Sequence, residues 1–226
     1  MPISKDNLNF LSQLEKNNNR DWFTAHKDEY LKQHENIISF ADVLLSKLNE
    51  HDVIETLNGK KSLFRIYRDV RFSQDKSPYK THWAGGFKRA SKERRGGYYF
   101  QIAPNNNTFI AGGFWAPNKE DLQRIREEIA IDDEEIREII ADKKFVKTFG
   151  QLDGEQLKSA PKGFDKDHKA IDLLRYKQFI FSKNFSDEEV LSPDFADKVN
   201  ETFKVMRPFF DYMSDVLTTD ANGAVL

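Results

Sequence analysis

Apolar residues recur every third or fourth position near both ends of the chain and every second position in several short runs between them. That alternation of periods predicts helices at the two ends and strands in the middle. Leu8, Leu11 and Leu14, with Phe10 beside them, predict a short helix that starts near Ser4 or Asp6 and stops at Asn17-Asn18-Asn19. Asn19 or Asp21 then caps a longer helix through Trp22, Phe23, Tyr30, Ile37, Ile38, Phe40, Ala41, Leu44, Leu45 and Leu48. Its polar middle, Lys32-Gln33-His34-Glu35-Asn36, reads as a solvent-facing turn, and Arg20 and Asp21 as capping and dipole residues. Strand patterns follow over 63–72, 84–88, 97–103 and 108–115, the last two joined by Pro104-Asn105-Asn106-Asn107 as a hairpin. Residues 52–58 are ambiguous between weak strand and loop. Gly112-Gly113 marks a bulge or a close approach, most simply of another side chain.

Beyond the hairpin, Pro117-Asn118 opens a helix with Leu122, Ile125 and Ile129 on one face, where Arg126 takes a surface position by default. Asp132 or Asp133 starts another with Ile136, Ile139 and Ile140, and Phe145 and Phe149 follow. Residues 157–168 are irregular, 170–175 suit one helical turn, and 176–182 suit a strand. Ser186 with Glu189 has the form of a capping box. Ser192-Pro193 starts the last helix, along Phe195, Val199, Phe203 and Met206, and Pro208 should kink or restart it. Residues 218–226 read as a frayed tail. The expected fold class is α+β: a single domain over 1–217, with a mostly antiparallel sheet of about four to six strands flanked by N-terminal, middle and C-terminal helices.

A chain of 226 residues suits one large domain or two small ones, and the lack of a Gly-, Ser- or Pro-rich linker favours one. The absence of cysteine excludes disulfides, thiolate metal sites and thiol nucleophiles. Met1-Pro2-Ile3-Ser4-Lys5-Asp6 has no apolar run of signal-peptide length, and no later stretch has the length of a membrane span. The expectation is a cytoplasmic protein without a membrane partner. A formal net charge of −2 argues against a polyanion-binding surface over the whole molecule and leaves only a local patch for that role.

The densest interleaving of cations and aromatics runs from Phe64 to Trp83, where Arg65, Arg68, Arg71, Lys76 and Lys80 face only Asp69 and Asp75. Read as a strand, it places Phe64, Ile66, Arg68, Val70 and Phe72 on one face and Arg65, Tyr67, Asp69 and Arg71 on the other. Arg68 among apolar neighbours then needs a carboxylate, carbonyls or a bound anion. Ser73 to Pro78 reads as a turn that carries Lys76, Tyr79, Lys80 and His82 onward. Arginine offers a planar fork and lysine a point charge to phosphate or carboxylate. The stretch is therefore either an anion site or an ion-pair network that pins the fold.

Arg65-Ile66-Tyr67-Arg68-Asp69-Val70-Arg71-Phe72-Ser73 followed by Asp75-Lys76-Ser77-Pro78-Tyr79-Lys80-Thr81-His82 resembles the signature of the domain-of-unknown-function 2461 family, mostly bacterial proteins with some fungal members. The resemblance extends to Asn17-Asn18-Asn19-Arg20-Asp21-Trp22-Phe23, His26-Lys27, Gly112-Gly113-Phe114-Trp115-Ala116-Pro117, Leu157-Lys158-Ser159-Ala160-Pro161-Lys162-Gly163-Phe164 and Asp167-His168. One departure is Lys169, where the family usually has proline, and it bears only on the local turn. The family brings kinship over nearly the whole chain and no established activity.

Candidate chemistry rests on the residues themselves. Arg65, Arg68, Arg71, Lys76, Tyr79 and Lys80, completed by Lys158 and Lys162 from the irregular loop, are the expected ligands of a small anion, phosphate- or carboxylate-bearing. His82 and His168 are the only histidines inside cation-rich segments and are the expected acid or base if the site performs phosphate-ester chemistry. No histidine pair has metal-ligand spacing, no phosphate-binding glycine loop occurs, and no serine sits in a nucleophile elbow, so no metal or cofactor is expected. Two alternatives stand beside the anion site. One is a nucleic-acid surface built from Arg89, Lys92, Arg94 and Arg95 near Tyr98 and Tyr99. The other is a structural or protein-interaction domain whose charged signature is an internal pin.

Overall fold

The structure, a computed structural model, describes residues 2–90, 94–219 and 224. Helix α1 (Lys5–Lys16) begins where Ser4 and Asn7 close a capping box and ends at Asn17, the reciprocal bonds satisfying donors that a helix start leaves free. The single long helix expected next is two: α2 (Arg20–Ala25), capped by Asn19, and α3 (Lys27–Leu48). The break falls at His26, whose backbone leaves the helical region (φ −109°, ψ 21°). Its ring stacks on the Trp22 indole at 4.0 Å, with Nδ1 2.8 Å from the Trp22 carbonyl oxygen, competing with the helix's own ladder. Nor is the middle of α3 a solvent turn: Gln33 is buried, and its side-chain and backbone oxygens accept from Asn7 Nδ2 at 2.9 and 3.2 Å.

A one-turn helix, α4 (Gly59–Ser62), is capped by Asn58 and docks on α3. Gly59 donates to Asp42 Oδ1 at 2.6 Å, and a Cβ at this position would lie 2.7 Å from the Asp42 backbone nitrogen. Only glycine lets the two backbones approach so closely.

Strands β1 (Trp83–Lys88), β2 (Gly97–Ile102), β3 (Thr108–Phe114) and β4 (Phe179–Phe185) form a four-stranded antiparallel sheet in that order. In β2 and β3 burial alternates strictly, with Tyr98, Phe100, Ile102 and Ile110 inward. β4 starts three residues later than its pattern suggests, because residues 175–177 are already bonded to 155–157: Lys177 N–H donates to the Glu155 carbonyl and Leu157 N–H to the Arg175 carbonyl, both at 2.7 Å. Gly112 lies under Met206 and the Phe210 ring, as the plainer reading of the glycine pair expects. Gly113, at φ +121°, faces the β4 backbone, where a Cβ would collide with the Phe179 carbonyl.

The remaining helices are α5 (Lys119–Ile131), α6 (Glu134–Ala141), α7 (Lys143–Phe149), α8 (Ile171–Leu174), α9 (Asp187–Val190) and α10 (Phe195–Thr218). Asn118, Asp142 and the Ser186–Glu189 capping box start α5, α7 and α9. Arg126 is not at the surface: it is buried, donating from Nε to the Leu174 carbonyl at 2.8 Å and from Nη2 to the Tyr176 carbonyl at 2.9 Å. Helix α10 starts two residues past Pro193 and continues through Pro208 to Thr218. A helix-interior proline costs about 3 kcal/mol. Burial of Phe203, Met206, Phe209, Phe210 and Met213 around it, at roughly 1.5–3 kcal/mol each, outweighs that cost. Of the tail expected over 218–226, Thr218 belongs to the helix and residues 220–223, 225 and 226 lie outside the described residues.

The fold is thus α+β, as expected. Internal contacts gather into two compact units, each assembled from three stretches: Met1–Phe87, Tyr99–Ile110 and Asn184–Glu201 in the first, Lys88–Tyr98, Ala111–Lys183 and Thr202–Leu226 in the second. Neither is continuous in sequence, which fits the lack of a linker. In the first, Phe40 stacks on Phe195 at 5.6 Å and meets Phe100 edge-on at 6.1 Å. In the second, Phe145 and Phe209 each meet Phe181 edge-on at 5.1 Å. Among the described residues, no helix is long and apolar enough to cross a membrane.

Candidate functional site

Residues 63–72 do not form the expected strand. With residues 73–82 they form an irregular ribbon that turns over 71–77 and returns to enter β1. Two isolated bridges, Leu63 with Gly85 and Tyr67 with Tyr79, hold it, with Lys80 N–H donating to the Ile66 carbonyl at 2.7 Å and Arg68 N–H to the Pro78 carbonyl at 2.9 Å. A regular ladder fails for local reasons. Asp69 Oδ1 accepts from Arg71 N–H at 3.2 Å and Asp75 Oδ1 from Ser77 N–H at 2.9 Å, so two carboxylates turn the backbone into themselves. Pro78 has no N–H to give.

The expected alternation survives on one face. Arg65, Tyr67, Asp69 and Arg71 are all exposed, while Ile66 is buried and Arg68 and Val70 are half-buried. It fails at the ends of the other face, where Phe64 is 51% and Phe72 96% exposed. Without a strand there, Phe72 is left to solvent and Phe64 is covered only in part, by the Tyr99 ring of β2.

Arg68 finds the acid that its position demands. Its Nη1 pairs with Asp75 Oδ2 and donates to the Ser77 carbonyl at 3.2 Å. The Ser77 hydroxyl, then the Ser77 N–H, then Arg68 draw the Asp75 carboxyl down to about 2. Arg71 grips Asp69 with Nε and Nη2, at 2.9 and 2.6 Å, and holds that carboxyl below its usual range. Lys76 Nζ donates to the Val70 carbonyl at 3.0 Å. Tyr79 is buried, its ring stacked on Phe23 at 4.0 Å. Its backbone is clamped by the Asn18 amide, which donates to the Tyr79 carbonyl at 2.9 Å and accepts from the Tyr79 N–H at 3.1 Å.

Arg65 and Lys80 are different. Among the described residues neither has a carboxylate within ion-pair reach. Lys80 lies 5.8 Å from the Phe64 ring centroid, and burial, then the neighbouring Arg65 charge, push its ammonium below the usual lysine value. Both cations line an open groove of about 720 Å³, together with Leu63, Phe64, Tyr67, Arg68, Asp69 and Arg71. Arg68 and Lys80 also line a smaller recess of about 290 Å³ with Glu15, Asn18, Asp75, Ser77, Tyr79, Thr81 and His82. Burial, and then the Lys80 charge, hold the His82 imidazole below its ordinary value, so it is neutral at pH 7.

The domain-of-unknown-function 2461 model, described as a conserved hypothetical protein, matches residues 6–212, which contain every element of this site. The chain belongs to the DUF2461 family. No curated protein and no solved structure matches it. The DUF2461 signature thus folds into the ribbon and lines its groove and, with Glu15 and Asn18, the adjoining recess. The family stretch at Asn17-Asn18-Asn19 supplies the C-cap of α1, the Tyr79 clamp and the N-cap of α2 in consecutive residues.

The other candidates fall elsewhere in the DUF2461 chain. Lys158, Lys162 and His168 belong to the second unit, whereas the residues lining the groove and the recess all belong to the first. His168 Nδ1 accepts from the Ala170 N–H at 3.1 Å, a local turn bond. Arg89, expected on a basic surface, is buried, with Nη2 2.5 Å from Asp211 and Nη1 3.2 Å from the Ser214 hydroxyl. Arg95 pairs with Asp121, and Lys92 lies outside the described residues. No group of three metal-ligating side chains occurs among the described residues. Sequence reasoning missed Asn18 and Glu15. For Asn18 the signal was present, since three consecutive asparagines after a helix exceed what capping requires.

Proposed function

We propose that this DUF2461 protein binds a small anionic ligand, phosphate- or carboxylate-bearing, in the groove between Arg65 and Lys80. The observation that carries the reading is that these two cations share one groove with no acidic partner among the described residues. Like charges held together and partly desolvated are unfavourable. An anion between them relieves the repulsion and gains charge-assisted hydrogen bonds, Arg65 giving a fork and Lys80 a point charge. Arg68 and Arg71 stay paired with Asp75 and Asp69, so the uncompensated charge of the groove falls to Arg65 and Lys80.

The internal-pin reading has its own support, limited to particular residues. Arg68, Arg71 and Lys76 are engaged within the ribbon and fix its shape. They frame the site, and Arg65 and Lys80 receive the ligand. The burial of Arg89 weighs against the nucleic-acid surface first considered for that cation cluster. If the ligand is a phosphate ester, the neutral His82 in the adjoining recess is the group placed to accept a proton. A chain without cysteine suits the reducing cytoplasm, where phosphorylated metabolites are common anions.

A thermal-shift series tests the reading, since a ligand that binds only the folded state raises its apparent stability. Phosphate and phosphate esters are expected to raise the melting temperature more than chloride at equal ionic strength, and Arg65→Ala with Lys80→Ala to abolish the difference. Equal responses of wild type and double variant would remove the groove as the site.

A further inference from the structure

The groove holds more than charge. Phe64 and Tyr67 line it beside Arg65 and Lys80, and they are 51% and 58% exposed. Both rings are held in place. Tyr67 leans on Tyr79 at 5.5 Å and Phe23 at 6.4 Å, and its backbone is bridged to Tyr79. Phe64 stacks on Tyr99 at 6.2 Å and 29°, and Tyr99 packs on Phe109 at 5.5 Å. Two large rings fixed at the surface, next to two cations with no acidic partner among the described residues, are not what a bare anion requires. A phosphate needs donors only, and about 720 Å³ is a volume of the size that holds a whole small molecule.

Resting on the anion reading above, we infer that the ligand joins a flat aromatic ring to its phosphate, as a nucleotide does: Arg65 and Lys80 take the phosphate and Tyr67, with Phe64 beside it, takes the ring. A ring laid on Tyr67 buries surface that is now exposed, and the Arg71 guanidinium on the same groove offers a second planar face. Stacking of this kind tolerates different bases, because every base presents a π-face. The chemistry is shared by a free mononucleotide and by one nucleotide of a single strand. The open groove leaves room for either.

The test is calorimetric titration of the full chain with adenosine 5′-monophosphate, ribose 5-phosphate, inorganic phosphate and a short oligothymidylate. The monophosphate is expected to bind about tenfold to hundredfold more tightly than ribose 5-phosphate, the range that stacking of one base supplies. Tyr67→Ala should remove that advantage and leave ribose 5-phosphate binding in place. Tyr67→Trp, which keeps a ring and the packing on Tyr79, should preserve it and serves as the folding control. Equal affinity for the two phosphates, or an advantage that survives Tyr67→Ala, overturns the inference while the anion reading stands. If none of the four compounds binds, the anion reading falls with it. An oligonucleotide that binds more tightly with each added nucleotide identifies a strand as the source, and one that binds no better than the monophosphate identifies the free nucleotide.

Discussion

Arg65 and Arg68 are three residues apart and do different work. Arg68 is tied to Asp75 and the Ser77 carbonyl with a side chain 27% exposed, so it shapes the ribbon. Removing it should lower stability by about 1 kcal/mol, the range for a partly exposed ion pair, and loosen the Lys80 amide in hydrogen exchange. Arg65→Ala, with no acidic partner to lose among the described residues, should change stability by less than about 0.5 kcal/mol while reducing phosphate affinity about tenfold or more. If the two variants behave alike, the division into frame and site is wrong. His82 gives a second residue-scale test. Its folded pKa lies below the ordinary 6.5, through burial and then Lys80, so the unfolded chain binds more protons below that pH. Stability should therefore fall as pH drops through the ordinary histidine value, and His82→Gln should flatten that part of the curve. An NMR titration of the His82 ring with a midpoint at or above 6.5 would count against this.

At the scale of elements, the ribbon is held from outside by Asn18. Asn18→Ala leaves the Tyr79 N–H and carbonyl without their side-chain partner and should destabilise by about 1–3 kcal/mol, with loss of amide protection at Tyr79. No change in that protection would mean the clamp is dispensable. The turn over 71–77 depends on an ionised Asp75. Its pKa of about 2 lies below the usual 3.8, so its contribution is complete above the unfolded value and disappears as pH falls from about 4 towards 2. Protection of the Ser77 amide, taken relative to its intrinsic exchange rate at each pH, should be lost across that window in the wild type and be insensitive to it in Asp75→Asn. These details explain what was and was not legible in the sequence. The caps of α1, α2, α5 and α9, the β2–β3 hairpin and the apolar stripe of α10 are local patterns and could be read directly. The ribbon could not, because its alternation of residue types matches a strand while Asp69, Asp75 and Pro78 divert the backbone bonds a strand needs. His26 broke a helix that periodicity joined, through a ring contact no propensity encodes. The cation cluster was legible in outline. Which cations lacked acids was not, since that depends on pairings such as Arg68 with Asp75 and Arg71 with Asp69 that only folding settles.

On the whole-molecule scale, most of the arginines described above are engaged within the fold, apart from the proposed site. Arg89, Arg126 and Arg137 lie in the second unit and satisfy carbonyls or carboxylates there. Arg89, with a side chain 1% exposed, donates to Asp211 and the Ser214 hydroxyl and lies 5.3 Å from the Phe210 ring. Arg89→Ala should destabilise by about 1–3 kcal/mol, since it leaves the Ser214 hydroxyl short of a partner while Asp211, half exposed, stays solvated, read from denaturant midpoints. A near-neutral effect would return Arg89 to the exposed surface first expected for it. A net charge of −2 thus coexists with two neighbouring cations, Arg65 and Lys80, that have no carboxylate within ion-pair reach among the described residues, a local arrangement compatible with the proposed anion binding.

If Arg65 and Lys80, which have no carboxylate within ion-pair reach among the described residues, receive an anion as proposed, the Lys80 ammonium must register it. The most direct measurement is a side-chain NMR titration of the Lys80 ammonium with and without phosphate. The expected result is a pKa below the usual lysine value in the free protein, a rise when phosphate is added, and a similar rise in Arg65→Ala without phosphate. A Lys80 pKa at or above the usual value and unmoved by phosphate would contradict it.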